Sequence, residues 1–152
     1  MILNKVGLAS VIVAVALPLA AHADEPGKHP GYLHALSDLR AARWNLEHRP
    51  GDVAVSAQED VAVTEIDAAI RELKKAAIED EKNLADHPHE DAKLDRNGRL
   101  HHAAELLKAA RADIHQEEDN PEVRELRNRA FQHINEAEKA TIHAIRDVEH
   151  DV

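Results

Sequence analysis

Residues 121–148 read PEVRELRNRAFQHINEAEKATIHAIRDV, and the spacing of their apolar side chains predicts one long amphipathic helix. Pro121 suits the first helical position, with Asn120 before it as the cap. A helix with one apolar stripe has to bury that stripe against other helices. The predicted stripe consists of Val123, Leu126, Ala130, Ile134, Ala137, Thr141, Ile145 and Val148.

Three upstream stretches show the same helical period. The first is predicted over residues 31–48. The second begins at Ser56, which with Glu59 forms a capping box that satisfies two free N–H groups of the first turn. Pro88 disfavours helix at the residue before it and so separates the second helix from the third. The third helix is predicted to reach about Gln116.

These four helices predict an all-α fold. Their connections look short, and short connections between long helices favour antiparallel neighbours. We therefore expect an up-down-up-down antiparallel four-helix bundle over residues 31–150. Alanine is abundant on the buried stripes, which favours close helix packing. Trp44 is predicted to cover the edge of this core.

Parts of the first half of the chain recur in the second half. Residues 31–34 resemble residues 98–101 at an offset of 67, and residues 39–43 resemble residues 107–111 at an offset of 68. These matches indicate a duplicated helical hairpin, which would give the bundle pseudo-two-fold symmetry. The alternative is chance similarity between alanine-rich helices.

The N-terminus has the layout of a secretory signal peptide. Lys5 is the only charged residue in the first 23, an apolar run follows it, and Ala21 and Ala23 make a small-x-small cleavage site. The apolar run is shorter than the roughly 20 residues that a membrane-spanning helix needs. We predict a cleaved signal peptide over residues 1–23, a flexible segment over 24–30, and a periplasmic or secreted product.

Charge and cysteine content restrict the partners of the exported chain. The full chain has a formal charge of −10, which becomes −11 when Lys5 leaves with the signal peptide. An excess of acid disfavours nucleic acid and anionic lipid as partners, so we expect neither nucleic-acid nor membrane binding after cleavage. The chain has no cysteine, so its stability has to come from packing rather than from disulfides.

Histidine is the main chemical signal in the sequence. Twelve histidines are present, of which only His22 lies in the predicted signal peptide, and 29 carboxylate residues accompany them. Without thiolates, imidazole and carboxylate are the ligands that copper, zinc and nickel accept. The sequence therefore predicts divalent metal ions as ligands.

Spacing selects the candidate ligands. Residues at i and i+4 share a helix face, so His34 pairs with Asp38 and His101 pairs with Glu105 at equivalent places in the repeat. In an up-down-up-down bundle, these pairs would lie at one histidine-rich end, close to the second connection. The predicted metal ligands are His34, Asp38, His101, His102, Glu105, His87 and His89.

A less specific interpretation competes with the metal site. Charged residues on a polar helix face are often simply solvated, and His34 and His143 are both expected to face solvent. Catalytic motifs are missing from the sequence, including the Glu-x-x-His pairs of di-metal bundles, Gly-x-Ser-x-Gly and phosphate-binding glycine loops. We therefore do not expect an enzyme.

Three strings carry a resemblance to known proteins: residues 29–40 (HPGYLHALSDLR), 65–70 (EIDAAI) and 116–121 (QEEDNP). Together they resemble a family of uncharacterised exported bacterial helical proteins. The resemblance implies a helical, extracytoplasmic protein and assigns no activity. In general character the chain is also similar to small histidine-rich periplasmic metal-binding proteins, although it lacks their regular histidine repeat.

The leading functional hypothesis is an exported bundle that binds or buffers divalent metal ions through surface His and Asp or Glu side chains. Two alternatives stay open. One is a structural or protein-interaction module that self-associates or binds another exported protein. The other is a pH-responsive stress module, because histidines gain charge near neutral pH.

Overall fold

The computed structural model describes residues 30–48, 56–85 and 98–150. These residues form four α-helices and no strand, which confirms the all-α prediction. The predicted signal peptide and residues 24–29 lie outside the described residues, while Pro30 is buried. The helices are α1 (Tyr32–Glu47), α2 (Ala57–Glu79), α3 (Arg99–Asp113) and α4 (Pro121–His150).

Local side-chain chemistry sets where the helices begin. The Ser56 hydroxyl accepts a hydrogen bond from the Glu59 backbone N–H at 3.3 Å, which confirms the serine half of the predicted capping box. The Glu59 carboxylate accepts from the Ser56 hydroxyl at 3.1 Å. Pro121 is the first residue of α4, and the Asn120 side chain accepts from the backbone N–H of Glu122 at 3.1 Å. Gly98 precedes α3 with a φ of 93°, a conformation that glycine adopts without steric strain.

The predicted apolar stripes meet in one core. On α2 and α4 this core is rich in alanine at equivalent positions, and these small side chains let the two helices approach closely. The most extensive helix contacts are those of α2 with α4, followed by those of α1 with α3. The buried alanines at equivalent positions of α2 and α4 are Ala62, Ala69, Ala76, Ala130, Ala137 and Ala144.

Two apolar residues lie outside the core, contrary to prediction. Trp44 is 57 % exposed and stacks on the His48 ring, with centroids 4.4 Å apart. It lies two residues from both Ala42 and Leu46, which are fully buried, so it points about 200° away from them around the helix. Val148 is 53 % exposed because it lies in the last turns of α4, where α3 only begins.

Hydrogen bonds between helix ends show that α1 and α3 are antiparallel neighbours. At one end, the Gly31 N–H donates to the Asp113 carbonyl at 3.1 Å. At the other end, the Arg99 guanidinium donates to the carbonyls of Asn45 and Leu46 at 3.0 and 3.1 Å. The start of each helix therefore lies beside the end of the other.

Ion pairs give the direction of the remaining neighbours. Along α2 and α4, Glu65 pairs with His133 and Glu72 with Arg129, so residue numbers rise on one helix as they fall on the other. The same opposition holds between α3 and α4, where His101 lies near Glu149 and Arg111 pairs with Glu138. Among the described residues, the contacts thus close a ring in the order α1, α2, α4, α3.

The predicted up-down-up-down order is consequently wrong, because α2 and α3 run in the same direction across a diagonal of the ring. The prediction assumed a short second connection. Instead, α2 ends at Glu79 and α3 begins at Arg99. A stretch of this length can reach about 60 Å when extended, far more than the roughly 24 Å length of α1, so a tight turn is not required.

The contacts follow the two-fold relation that the predicted repeat requires. Arg43 donates to the Asp67 carboxylate at 2.8 Å, and the residues 68 positions later, Arg111 and Asn135, make the corresponding contact at 3.3 Å. Glu65 and His133 are themselves 68 positions apart and contact each other at 2.7 Å. A residue that contacts its own repeat equivalent lies on the axis relating the two hairpins.

Arg99 joins three helices at one end of the bundle. Besides the two α1 carbonyls, it donates to the carboxylate of Glu59 on α2 at 3.0 Å. The Glu59 side chain is 1 % exposed and that of Arg99 is 22 % exposed. A buried carboxylate depends on a cation and on hydrogen bonds to offset its lost hydration.

We predict that Arg99→Met lowers the free energy of unfolding by about 2–4 kcal/mol, because the buried Glu59 carboxylate loses this cation. Urea denaturation followed by circular dichroism measures the change. The matched control is Arg129→Met, whose side chain is 48 % exposed and pairs with Glu72, which is 18 % exposed and so keeps more of its hydration than Glu59. The control should cost less than about 1 kcal/mol, and equal losses would contradict the bridging role of Arg99.

Candidate functional site

The predicted ligands of the first hairpin do not form a surface pair. His34 is exposed in the first turn of α1, as expected, but Asp38 is fully buried. Asp38 belongs to a buried stripe of α1 with Ala35, Ala42 and Asn45. A metal ion at the surface position of His34 could reach Asp38 only by disturbing the packing of this stripe.

The predicted ligands of the second hairpin differ in exposure. His101 is partly exposed and Glu105 is exposed, whereas His102 is buried. The Nδ1 atom of His102 makes no hydrogen bond within the described part of the chain. The two ligands predicted in the second connection, His87 and His89, lie outside the described residues.

The expected histidine-rich end is not formed by the helices. The prediction placed the starts of α1 and α3 together, but the antiparallel contact of these helices separates them. His34 and His101 therefore lie at opposite ends of the bundle. Within residues 30–48, 56–85 and 98–150, no three His, Asp or Glu side chains come close enough together to hold a metal ion.

The structure instead brings histidines together with carboxylates from neighbouring helices. His133 on α4 contacts Glu65 on α2, with Nδ1 and Oε2 2.7 Å apart and both side chains about one-third exposed. His101 on α3 faces Glu149 on α4, with Nε2 and Oε1 3.9 Å apart. Each of these pairs joins two different helices.

Spacing within one helix could not reveal these pairs. Local spacing pairs His133 with Glu136 and His101 with Glu105, whereas the observed partners lie on other helices. The offset of 68 between Glu65 and His133 was the available signal, since equivalent residues meet where a pseudo-two-fold axis passes between helices. Using that signal required the correct helix order.

An open cleft adjoins the His101–Glu149 pair. It has a volume of about 630 Å³ and lies between the start of α3 and the end of α4. Arg99 of α3 borders the cleft and also donates hydrogen bonds to α1 and α2. The packing of three helices therefore fixes the position of this residue. The side chains on its walls include Leu100, His101, Ile145, Val148 and Glu149.

A buried polar cluster occupies the opposite end of the bundle. The Tyr32 hydroxyl donates to Glu118 Oε2 at 2.7 Å, and Glu118 Oε1 accepts from the Asn120 N–H at 2.9 Å. Burial, followed by this hydrogen bond and the negative charges of Glu118 and Asp80, raises the pKa of Tyr32 far above its ordinary value. The cluster fixes the start of α1 to the connection between α3 and α4.

We predict that Tyr32→Phe lowers the free energy of unfolding by about 1–3 kcal/mol at neutral pH, because the buried Glu118 loses a hydrogen-bond donor. The stabilisation that Tyr32 contributes should be fully present below about pH 10 and decrease above it, since Tyr32 ionises at a lower pH in the unfolded chain than in the folded chain. Tyr32→Phe should remove that part of the alkaline loss.

Absorbance at 295 nm measures this directly, because Tyr32 is the only tyrosine. Phenolate absorbance should appear together with the loss of helical circular dichroism as pH rises. Phenolate formation near pH 10 in a chain that stays helical would show that Tyr32 is not held as described.

Comparison with known proteins identifies no relative of the chain. None of the described helices is both long and apolar enough to cross a membrane. The resemblance to exported helical proteins stays a prediction. No protein-family model matches the chain, and neither a curated protein nor a solved structure matches it.

Proposed function

We propose that the protein binds copper, zinc or nickel ions weakly and reversibly after export, and so buffers them. The observation that supports this proposal is the pairing of histidine with carboxylate between helices, at His133–Glu65 and His101–Glu149. Imidazole nitrogen and carboxylate oxygen are both ligands for these ions. The proposed ligands differ from most of those predicted by helical spacing.

The spacing of the two pairs is close to that of a chelate. A zinc ion with bonds of about 2.0–2.2 Å to both donors holds them about 3.0–3.5 Å apart. The observed separations are 2.7 Å for His133–Glu65 and 3.9 Å for His101–Glu149. One pair therefore has to open and the other to close by about half an ångström, which side-chain rotation on a fixed helix allows.

Two protein ligands define the kind of site. A structural zinc site uses four protein ligands, and a catalytic site uses three. With a pair of ligands, water completes the coordination and the ion can exchange easily. This arrangement suits a buffer better than a permanent metal centre. The acidic chain, with a formal charge of −10, supports it by attracting cations to the surface.

We predict that zinc stabilises the mature chain, because an ion held between two helices binds the folded state preferentially. At a free zinc concentration of 100 times Kd, one site should add about 2.7 kcal/mol to the free energy of unfolding. Thermal denaturation with calorimetric titration measures both effects. His133→Ala and His101→Ala should each lower the number of bound zinc ions by one.

His48→Ala is the matched control, because the Nδ1 atom of His48 contacts the Trp44 carbonyl rather than a carboxylate. It should leave the zinc stoichiometry unchanged. His87→Ala with His89→Ala tests the predicted ligands of the second connection separately. The absence of both heat and thermal shift at up to roughly 100 micromolar metal would rule out a useful buffer. A dimer or partner complex that persists in chelator would favour the interaction module instead.

A further inference from the structure

A cationic cleft lies on the otherwise acidic molecule. It has a volume of about 550 Å³ and runs between the second half of α3 and the first half of α4. None of the described residues that line it is acidic. Three of them carry or can carry positive charge and two are apolar: Lys108, Arg111, His115, Ala112 and Phe131.

The cleft combines a charged rim with an aromatic wall. Phe131 is partly buried and packs against the core. The His115 ring lies 6.2 Å from it, tilted by 53°. The Arg111 side chain is 37 % exposed, and its Nη1 atom contacts both Glu138 and Asn135. A ligand could therefore place a flat apolar body near Phe131 and an anionic group near Arg111.

The first hairpin provides an internal reference for this cleft. At the positions equivalent to Arg111 and His115 it has Arg43 and Glu47, which form an ion pair at 2.6 Å. Arg43 also pairs with Asp67 at 2.8 Å. In the first hairpin, two carboxylates thus neutralise the arginine that corresponds to Arg111.

Substitutions between the hairpins change both charge and space. His115 replaces Glu47 and Asn135 replaces Asp67, so two negative charges are lost around Arg111. Glu138 restores one of them, at 3.2 Å. Ala112 stands where the first hairpin has Trp44, which removes a large side chain beside the cleft. Relative to the first hairpin, the second is therefore more positive at this position, and it has Ala112 and Phe131 where the first hairpin has Trp44 and Val63.

From these differences we infer that the α3–α4 cleft binds a small organic carboxylate with a flat apolar body. The guanidinium of Arg111 and the ammonium of Lys108 attract the carboxylate, since charge-assisted hydrogen bonds are the stronger kind. Phe131 and the Ala112 methyl group contact the apolar part. Clefts of about 300–1,000 Å³ lined by apolar groups and a few polar ones are typical of small-molecule sites. This inference is independent of the proposed metal pairs.

The test uses benzoate as the probe, with benzamide as its uncharged isostere, in metal-free buffer at low ionic strength. Amide chemical shifts in the ¹H–¹⁵N spectrum of the mature chain report both the location and the affinity of binding. Benzoate should shift the amides around Ala112, His115 and Phe131. Benzamide should bind at least about tenfold more weakly, because it lacks the charge that Arg111 and Lys108 recognise.

Two variants restore the residues of the first hairpin. Ala112→Trp fills the cleft and His115→Glu neutralises Arg111, and each should weaken benzoate binding by at least about tenfold. Both positions are exposed, so the fold should tolerate them. The matched control, His143→Glu, makes the same exchange at an exposed position elsewhere and should change the affinity less than about twofold.

The inference is overturned if benzamide binds as well as benzoate, or if the shifted amides lie outside the cleft. It is equally overturned if Ala112→Trp and His115→Glu leave the affinity unchanged. Because metal is excluded from the buffer, failure here says nothing against the metal pairs. Loss of zinc binding in the His133 and His101 variants likewise leaves the cleft untouched.

Discussion

The antiparallel contact between α1 and α3 is the constraint on which the rest of the structure depends. It is fixed at one end by the Gly31–Asp113 backbone hydrogen bond and at the other by Arg99. Once these two helices lie side by side in opposite directions, α2 and α4 have to pair with each other. Their buried alanines then bring the two longest helices close together.

This contact also determines where functional groups meet. It places the starts of α1 and α3 at opposite ends, so the histidines of the two repeats are separated rather than gathered. It places Glu65 and His133 opposite each other on the pseudo-two-fold axis, 2.7 Å apart. Because the pseudo-two-fold axis relates the two hairpins, each residue of the second can be compared with its equivalent in the first. A difference at equivalent positions, such as Trp44 and Ala112, then indicates where the two hairpins can differ in the ligands they accept.

The sequence was sufficient to predict the elements of the fold but not their arrangement. The period of Val123, Ala130 and Ile134 and the cap at Ser56 predicted helices correctly, because helix period and capping are local properties. The order failed because it depended on the length of a connection, which was judged from Pro88 alone. The prediction for Trp44 failed because Ala42 and Leu46 set the buried face near it, which turns Trp44 toward solvent.

The candidate site was less predictable than the fold, for a related reason. Ligand pairs within one helix follow from spacing, but His133–Glu65 and His101–Glu149 join different helices and require the helix order. Asp38 was expected at the surface because helical spacing paired it with His34, yet it is fully buried in the packed bundle. The offset of 68 between the two repeats was a signal for the His133–Glu65 pair, because these two residues are equivalent.

The measurement that tests the helix order most directly is paramagnetic broadening of amide resonances by one spin label. The chain has no cysteine, so Ala112→Cys, at an exposed position near the end of α3, gives a single attachment site. Antiparallel packing places residues 31–38 about 10–15 Å from the label and residues 44–48 about 20–25 Å away. We expect strong broadening of the first group and weak broadening of the second. The reverse pattern would mean that α1 and α3 are parallel, and would contradict the arrangement on which both proposed sites rest.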